Sequence, residues 1–474
     1  MKLGYFYNIQ SSKALFLNSL FILLTVIFIA ACDNTDSNNE EPDDELGQEA
    51  SIISAWTVLG PSGSTIARII TEDPDCPMIS IATGSTSNSI ESREVMQTMD
   101  VRQGPSDSDF PVLVCQSTIP SDAESASIGY TEFPLPKDSP KRIAILGDTG
   151  CRLDSKDDKF QDCNDPSKWP FNTIAQSAAA WGPDLIIHVG DYIYREDACP
   201  EGKSGCEGSP FGDNWDTWNA DFFTPAKPLL DVAPWIMARG NHEVCTRAGQ
   251  GWFIFLDTTL ATPPPMGKEC DGETPVDLCN DFSNPFSINI GEMDIFNMDT
   301  ACADDSDAPK HLVDPYASDF QTLDNIQTST TWLLTHHPMW GIDDEKKSPS
   351  DPKCCTNLTL QTAAQKNFPE SVDFVLSGHI HLFQYLNFNK SGESGTPSQL
   401  ITGASGVELN SSSTESVKDM SVAGMKIEEG MTIDEHGFST IEFKSDGTIE
   451  IAIRDVSGNK ILKCDLQGKN LNCE

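Results

Sequence analysis

Five short apolar runs in this chain each end in a cluster of glycine, aspartate, asparagine or histidine, and these clusters constrain the fold most. The run Pro234-Trp235-Ile236-Met237-Ala238 is typical of a buried strand that ends at a glycine turn, here Gly240. Asn241, His242 and Glu243 follow, and such residues form strands poorly and rarely fill cores. Polar side chains at a strand end are typical of a site that binds a ligand in a crevice.

The other four clusters occupy equivalent places. They are Gly147-Asp148-Thr149-Gly150 after residues 142–146, Gly190-Asp191-Tyr192-Ile193-Tyr194 after residues 185–189, Thr335-His336-His337-Pro338 after residues 332–334, and Gly378-His379-Ile380-His381 after residues 373–376. A helical pattern through Phe171, Ile174, Ala178 and Trp181 separates the first two clusters. Strands that alternate with helices and carry polar groups at their carboxyl ends predict an α/β fold with a site along one edge.

The charge balance limits the possible partners. The chain has 72 acidic and 31 basic residues among 474, a formal net charge of -41. Such a surface repels phosphate backbones and anionic lipid, so we expect no nucleic-acid binding. A phosphorylated substrate would need a local positive centre, such as bound metal.

The N-terminus is typical of an export signal. Lys2 and Lys13 precede an apolar run over residues 14–31, and Ile29-Ala30-Ala31-Cys32 resembles the lipobox of bacterial lipoproteins, in which Cys32 would carry the lipid. An uncleaved membrane anchor is the alternative. In both cases we expect the protein in the cell envelope or outside the cell. For a lipoprotein, the N-terminal lipid would be its one contact with the membrane.

Composition divides the chain into four parts. Residues 1–32 are the signal with its lipobox, and residues 33–50 are an acidic tether that we expect to be disordered. Residues 51–137 alternate short apolar patches with turn residues, which predicts a small β-rich module. Residues 138–474 carry the five polar clusters and are expected to form one domain, which includes a hairpin around Gly291-Glu292 and C-terminal antiparallel strands with turns at Asp446-Gly447 and Ser457-Gly458.

The chain has 15 cysteines, and without Cys32 an even number remains, as expected for disulfides in an oxidising compartment. A zinc site is the alternative, but no paired Cys-x-x-Cys spacing supports it. Short loops favour four pairs: Cys76 with Cys115, Cys199 with Cys206, Cys270 with Cys279, and Cys464 with Cys473.

The side chains at the strand ends form a ligand set suited to metal. Aspartate, imidazole and amide oxygen together suit iron, manganese or zinc. His379 and His381 are two residues apart, so on an extended segment they project the same way. Two neighbouring metals need a bridging group, and a carboxylate serves well.

These clusters resemble a known family. Gly147-Asp148-Thr149-Gly150, Gly190-Asp191-x-x-Tyr194, Gly240-Asn241-His242-Glu243, Leu333-x-x-His336 and Gly378-His379-x-His381 are similar to the five ordered blocks of the calcineurin-like metallophosphoesterases. The Asp-x-Gly first block and Tyr194 resemble the purple acid phosphatase variant, while Leu333 stands where the family often has valine. The resemblance implies an α/β fold, a metallophosphoesterase β-sandwich flanked by helices, beside the N-terminal β-rich module.

The resemblance also implies a ligand set. The first metal would be held by Asp148, Asp191, Tyr194 and His381, and the second by Asp191, Asn241, His336 and His379, with Asp191 bridging. A phenolate beside two carboxylates favours Fe(III) in the first position. The more neutral second position would take divalent Zn, Mn or Fe.

The implied activity is hydrolysis of phosphate monoesters by metal-activated hydroxide, with His242 as general acid. Glu243 would either orient His242 or serve the loop, and His337 would either contact the substrate phosphate or support the ligands. Three arginines near the clusters are candidates for phosphate contacts or for structural ion pairs: Arg195, Arg239 and Arg247. Alternatives are a phosphodiesterase or nucleotide hydrolase with the same ligands, a non-catalytic surface binding protein, and a closed structural metal site.

Overall fold

The computed structural model of the chain describes residues 50–84, 93–106, 109–260, 282–291, 293–326, 330–343, 357–364, 368–389, 395–411 and 415–474. The export signal, nearly all of the acidic tether, Glu292 and the Cys270–Cys279 pair lie outside these ranges. Within them, no helix is both long and apolar enough to cross a membrane.

The first sheet contains strands from both the N-terminal and the C-terminal parts of the described chain. In the described ranges it has eleven strands, which lie side by side in the order Asn470–Cys473, Lys460–Gln467, Ile449–Asp455, Gly437–Phe443, Arg142–Leu146, Leu185–His188, Trp235–Met237, Ile52–Leu59, Thr65–Thr71, Leu113–Ile119 and Asp100–Gln103. Its central strands, from Arg142–Leu146 to Ile52–Leu59, are parallel. The C-terminal strands pair antiparallel, as the alternating tail and its two turns predict.

The second sheet faces the first. As far as the structure describes it, it has eight strands in the order Phe286–Ile290, Met293–Asn297, Thr330–Leu334, Val372–Ser377, Ser398–Thr402, Phe383–Asn387, Glu429–Ile433 and Glu415–Ser416. The first two strands form the predicted hairpin. The next two are parallel to each other and carry the fourth and fifth polar clusters at their ends.

Alternation along the strands shows how the two sheets pack. Ile143 and Ile145 are buried against Trp332 and Phe374 of the second sheet, because alternate residues of a strand share a face. Complete burial of one such side chain contributes roughly 1.5–3 kcal/mol. This layer is the core of the predicted β-sandwich.

Helices cover both outer faces of the sandwich. The helix Phe171–Trp181 packs Phe171 and Ile174 onto the first sheet, as its apolar spacing predicts, and ends at Gly182 in a left-handed turn. On the second sheet the cover includes Tyr316 and Phe320. The remaining helical segments are Pro61–Gly63, Trp215–Trp218, Asn219–Phe223, Thr224–Leu230, Asn241–Glu243, Gly249–Gly251, Trp252–Leu256, Lys310–Asp324 and Leu358–Ala364.

The N-terminal part is β-rich, as expected, and four of its strands extend the first sheet. Ile52–Leu59 pairs in parallel with Trp235–Met237 through the partners Val58 and Trp235. A smaller sheet packs beside them, with the strands Arg93–Thr98, Met78–Thr83, Ala123–Ile128 and Thr131–Glu132. The two parts of the chain therefore share one hydrogen-bonded sheet, and the division at residue 137 stays a prediction.

Disulfides close local loops. Three predicted pairs are confirmed: Cys76–Cys115, Cys199–Cys206 and Cys464–Cys473. The structure adds Cys151–Cys163, which closes the loop directly after the first polar cluster. The loops that follow the first and second polar clusters are thus covalently restrained.

Candidate metal centre

The five polar clusters follow the carboxyl ends of five parallel strands. Arg142–Leu146, Leu185–His188 and Trp235–Met237 are neighbours in the first sheet, and Thr330–Leu334 and Val372–Ser377 are neighbours in the second. Loops that leave the carboxyl ends of adjacent parallel strands emerge at the same edge of a sheet. Contacts between the loops of the two sheets show that both sets converge on one centre.

Three of the predicted ligands have left-handed backbone. Their φ angles are 56° at Asp148, 60° at Asp191 and 70° at His379. A non-glycine residue in this region costs roughly 1–3 kcal/mol and persists only where its surroundings fix it. Here the peptide N–H of His379 donates to Oδ2 of Asp148 at 3.1 Å. The strain therefore lies at the residues that point into the centre.

Tyr194 joins one group of ligands. Its phenol oxygen lies 2.9 Å from Oδ1 of Asp148, 2.7 Å from Oδ2 of Asp191 and 3.0 Å from Nε2 of His381. All four side chains are at least nine-tenths buried. These are the four residues predicted for the first metal.

Asn241 joins the second group. Its Oδ1 lies 2.9 Å from Nε2 of His336 and 2.9 Å from Nδ1 of His379. Oδ2 of Asp191 lies 3.2 Å from the same Nε2 of His336. Asp191 therefore contacts both groups, as a bridging carboxylate must, and all seven predicted ligands converge.

Hydrogen bonds outside the centre orient the imidazoles. Nδ1 of His336 donates to the carbonyl of Val189 at 2.9 Å, and Nδ1 of His381 donates to that of Glu408 at 3.0 Å, which leaves each Nε2 lone pair facing inward. His379 is reversed, because its Nε2 lies 2.9 Å from Oδ2 of Asp305 and its Nδ1 faces the centre. Sequence reasoning missed Asp305.

Burial makes the negative charge of this centre costly. It raises the pKa of Asp148 well above the ordinary value, and burial together with Asp148 and Asp191 does the same for the pKa of Tyr194. Burial alone would lower the pKa of His336, but Asp191 outweighs it and raises that pKa to about 9. The cluster of oxygen and nitrogen donors thus requires positive charge, and its chemistry fits iron, manganese or zinc.

Two glycines allow the loops to approach each other. A Cβ on Gly240 would lie 2.1 Å from Oδ1 of Asp191, and one on Gly190, whose φ is +105°, would lie 2.5 Å from Nδ1 of His336. Neither contact is possible without displacing a ligand. These two positions therefore need glycine for steric reasons.

His242 lies at the margin of the centre. Its ring packs on Tyr194 with centroids 3.8 Å apart, and its Nε2 is 3.9 Å from Oδ2 of Asp191. Nδ1 is 2.8 Å from Oε1 of Glu196, which in turn pairs with Arg247. Burial and Arg247 lower the pKa of His242, while Asp191 and Glu196 act in the opposite direction. Sequence reasoning missed Glu196, although it lies only two residues after Tyr194.

Glu243 holds loops together, the second of the two roles considered for it from the sequence. Its carboxylate accepts N–H groups from Asp191 at 3.1 Å, Tyr192 at 2.8 Å, Ile193 at 3.2 Å and Gly240 at 3.1 Å. It therefore ties the second cluster to the third. Of the two interpretations, the structure favours the loop acid, and Glu196 is the acid that contacts His242.

His337 lies beside the second group. Its ring centroid is 4.1 Å from that of His379, and burial lowers its pKa well below the ordinary value. Within the described residues, its Nδ1 is buried without a hydrogen-bond partner. A neutral imidazole with an unused nitrogen at this position is compatible with a phosphate contact, which stays a prediction.

The three arginines differ in what their guanidinium groups contact. Arg239 donates to the carbonyl of Glu243 from Nε and Nη2 at 2.9 and 2.8 Å, and Arg247 is bound to Glu196. Arg195 pairs through Nε with Asp221. Arg239 is therefore a structural residue. Arg247 binds Glu196, the carboxylate that contacts His242.

His188 supports the centre from behind without contacting it. The N–H of Gly190 donates to its Nδ1 at 3.2 Å, so its Nε2 carries the proton and donates to Oγ1 of Thr149 at 3.1 Å. Its ring stacks on Tyr192 with centroids 3.9 Å apart. It is a structural histidine, and it joins the first and second clusters.

Comparison with known proteins agrees with this geometry. The family model for calcineurin-like phosphoesterases matches residues 141–383, just over half of the chain. The chain belongs to the calcineurin-like phosphoesterase family. Accordingly the protein is a metal-dependent phosphoric ester hydrolase of a family that uses dinuclear metal centres.

Among solved structures, the phosphoesterase is similar in fold to the purple acid phosphatase PPD1 isolated from yellow lupin (Lupinus luteus) seeds. The TM-score is 0.51 at 13% sequence identity, and the match covers 90% of this chain and 74% of that chain. No curated protein matches the chain. The predicted family and the α/β fold are confirmed.

Proposed function

We propose that this phosphoesterase is an exported phosphatase that hydrolyses phosphate monoesters at a centre of two metal ions. One observation carries the proposal: Asp191 contacts both Tyr194 and His336, so a single carboxylate connects the two groups of ligands. Tyr194, which lies against two carboxylates, supports the purple-type monoesterase over a diesterase. Two ions bound here would lower the pKa of water and neutralise the phosphoryl oxygens.

The donor chemistry of the two groups supports two different metals. Two carboxylates and a phenol oxygen are hard anionic donors that favour Fe(III), and His381 completes that group. The second group adds one amide oxygen and two neutral imidazoles to Asp191, which suits divalent Zn, Mn or Fe. We expect the iron-loaded protein to show a broad visible phenolate-to-iron band that Tyr194→Phe abolishes. A band that survives this substitution would contradict the assignment of Fe(III) to Tyr194.

The departing alcohol needs a proton, and we assign that step to His242. Nε2 of His242 lies 3.9 Å from Oδ2 of Asp191 and 2.8 Å from Nη2 of Arg247, while Glu196 accepts a hydrogen bond from Nδ1 and stabilises the charged imidazolium. We assign to His337 a hydrogen bond to a phosphoryl oxygen, since its Nδ1 has no partner within the described chain.

The test is a panel of esters with the metal-loaded protein. We expect kcat/KM for 4-nitrophenyl phosphate to exceed that for its bis ester and for nucleotides. Asp191→Ala should reduce kcat/KM on the order of 10³-fold, because several kcal/mol of charge stabilisation would be lost. The exposed Asp122→Ala is the matched control.

Two results would contradict the proposal. A higher kcat/KM for the bis ester or for a nucleotide would make the protein a phosphodiesterase or nucleotide hydrolase. Equal activity of Asp191→Ala and Asp122→Ala would exclude a bridging role for Asp191.

The export part of the proposal rests on the N-terminal pattern and on the disulfides. Four disulfides in the described chain suit an oxidising compartment. We expect membrane association in a bacterial host that Cys32→Ser abolishes. Unchanged association would favour the uncleaved anchor.

A further inference from the structure

A cavity of about 260 Å³ opens beside His242. Its volume is slightly below the range of roughly 300–1,000 Å³ that is usual for drug-sized ligands, so it suits a small group. It is lined by Ile193, Arg195, Glu196, Gly212, Asp213, His242, Thr246, Arg247 and Ala248.

Arg195 offers unused donors to this cavity. Its side chain is only 5% exposed, and its plane is fixed between the ion pair with Asp221 and the ring of Trp169, 5.0 Å away. In the described structure its two Nη groups have no hydrogen-bond partner. Burying such a guanidinium is costly unless its donors are used, so they are available to an oxygen of a bound molecule.

Carboxylates supply acceptors on the other walls. Glu196 is bound on one side by His242 and Arg247 and is 28% exposed on the other. Asp213 accepts hydrogen bonds from Nε1 of Trp218 and the N–H of Gln250, both at 2.9 Å, so the wall it forms is held in place. The cavity therefore presents donors and acceptors together.

The charges in this cavity argue against a second anionic group on the ligand. Arg195 is neutralised by Asp221 and Arg247 by Glu196, and Asp213 adds a further carboxylate. The protein as a whole also carries a net charge of -41. A neutral group with several hydroxyls fits best, because each hydroxyl both donates and accepts.

The place of His242 identifies which part of a substrate would enter. A general acid must lie within hydrogen-bond reach of the leaving oxygen, so the rest of the departing alcohol extends to the side of His242. We propose that this cavity is the leaving-group subsite and that it selects phosphate esters of small polyhydroxylated alcohols, the sugar and polyol phosphates. This inference rests on the proposed monoesterase function and specifies its substrate class.

The lining does not favour aryl or nucleoside leaving groups. Such groups bind by stacking on aromatic side chains, and no aromatic residue other than His242 lines the cavity in the described chain. Phe211, which precedes Gly212 at the rim, is 49% exposed and could serve as such a platform.

The experiment compares kcat/KM for glucose 6-phosphate, methyl phosphate and 1-naphthyl phosphate. It is done with the metal-loaded protein and with the Thr246→Trp variant, whose larger side chain would fill the exposed mouth of the cavity. We expect glucose 6-phosphate to be at least tenfold better than methyl phosphate in the unmodified protein. Thr246→Trp should reduce that ratio to near one. Thr98→Trp, on an exposed strand of the small sheet, is the control and should keep the ratio.

A second variant tests the donors directly. Arg195→Lys keeps the positive charge beside Asp221 but removes the planar pair of Nη groups, so KM for glucose 6-phosphate should rise more than that for methyl phosphate. An equal change for both esters would mean that Arg195 acts on the fold and not on the leaving group, and would count against the proposal.

Other outcomes separate this inference from the proposed function. A preference for 1-naphthyl phosphate that disappears in Phe211→Ala would overturn the polyol assignment while leaving a phosphomonoesterase. An equal loss for glucose 6-phosphate and methyl phosphate in Thr246→Trp would overturn the subsite. Absence of hydrolysis for all monoesters would overturn the proposed function itself, and this inference with it.

Discussion

Replacing Glu196 by glutamine is the most informative single change outside the ligand set. Oε1 of Glu196 lies 2.8 Å from Nδ1 of His242, a geometry in which the carboxylate stabilises the protonated ring. A hydrogen bond to a charged group contributes about 1.5–3 kcal/mol, and 1.36 kcal/mol corresponds to a tenfold change in rate. The variant should therefore lose roughly 10- to 150-fold in kcat. Because Glu196 is 28% exposed, we expect the lower end, about tenfold.

The direction of the pH effect follows from the same contact. Glu196 raises the pKa of His242 against the lowering by burial and Arg247. Without its charge the pKa of His242 falls, so the protonated acid is lost at lower pH. The alkaline limb of the rate profile should then move to lower pH.

The assay is kcat against pH for an alkyl phosphate and for 4-nitrophenyl phosphate. The alkyl ester needs a proton on its leaving oxygen, whereas nitrophenolate is a stable anion, so the loss should be much larger for the alkyl ester. Glu207→Gln changes the same charge at an exposed position and is the control. Equal rates and an unshifted alkaline limb in Glu196→Gln would refute the role given to the Glu196–His242 pair.

Three further predictions concern the centre itself. Gly240→Ala should displace Asp191, whose Oδ1 would lie 2.1 Å from the new Cβ, and bound metal measured after dialysis should fall. Asp305→Asn should weaken metal affinity about 10- to 100-fold in a chelator competition, because the carboxylate orients His379. In metal-depleted protein, burial and Asp191 raise the pKa of Glu243 to about 8, so urea unfolding should show stability falling from pH 6.5 to 8. Metal-loaded protein should show a smaller fall, and an equal slope in both forms would contradict the last prediction.

The strand ends could be predicted from sequence because their signal is local. An apolar run that stops at glycine and continues with aspartate or histidine identifies both the strand and the residues at its end, as in Leu185–His188 followed by Asp191. Which side chains converge was implied by the resemblance of these five ordered clusters to the metallophosphoesterase blocks. Their left-handed φ angles were not predictable, because Asp148 and His379 depend on contacts with distant loops.

The residues that contact and orient the histidines of the centre could not be predicted from the same kind of local pattern. Asp305 reaches His379 across 74 positions of sequence, from an acidic loop with no distinctive pattern. The pairing of Val58 with Trp235 is likewise long-range, so sequence suggested an N-terminal module and gave no sign that its strands extend the catalytic sheet. Glu196 was within reach of sequence reasoning, since it follows Tyr194 by two positions in the same loop.

The most direct test of a shared two-metal centre is the metal-to-protein ratio, measured by mass spectrometry on the purified protein and on Asp191→Asn. Asp191 is the one carboxylate that contacts both Tyr194 and His336 in the described structure, so we predict two metal ions per chain and at most one in the variant. A ratio of one or less in the unmodified protein, or an unchanged ratio of two in Asp191→Asn, would contradict it.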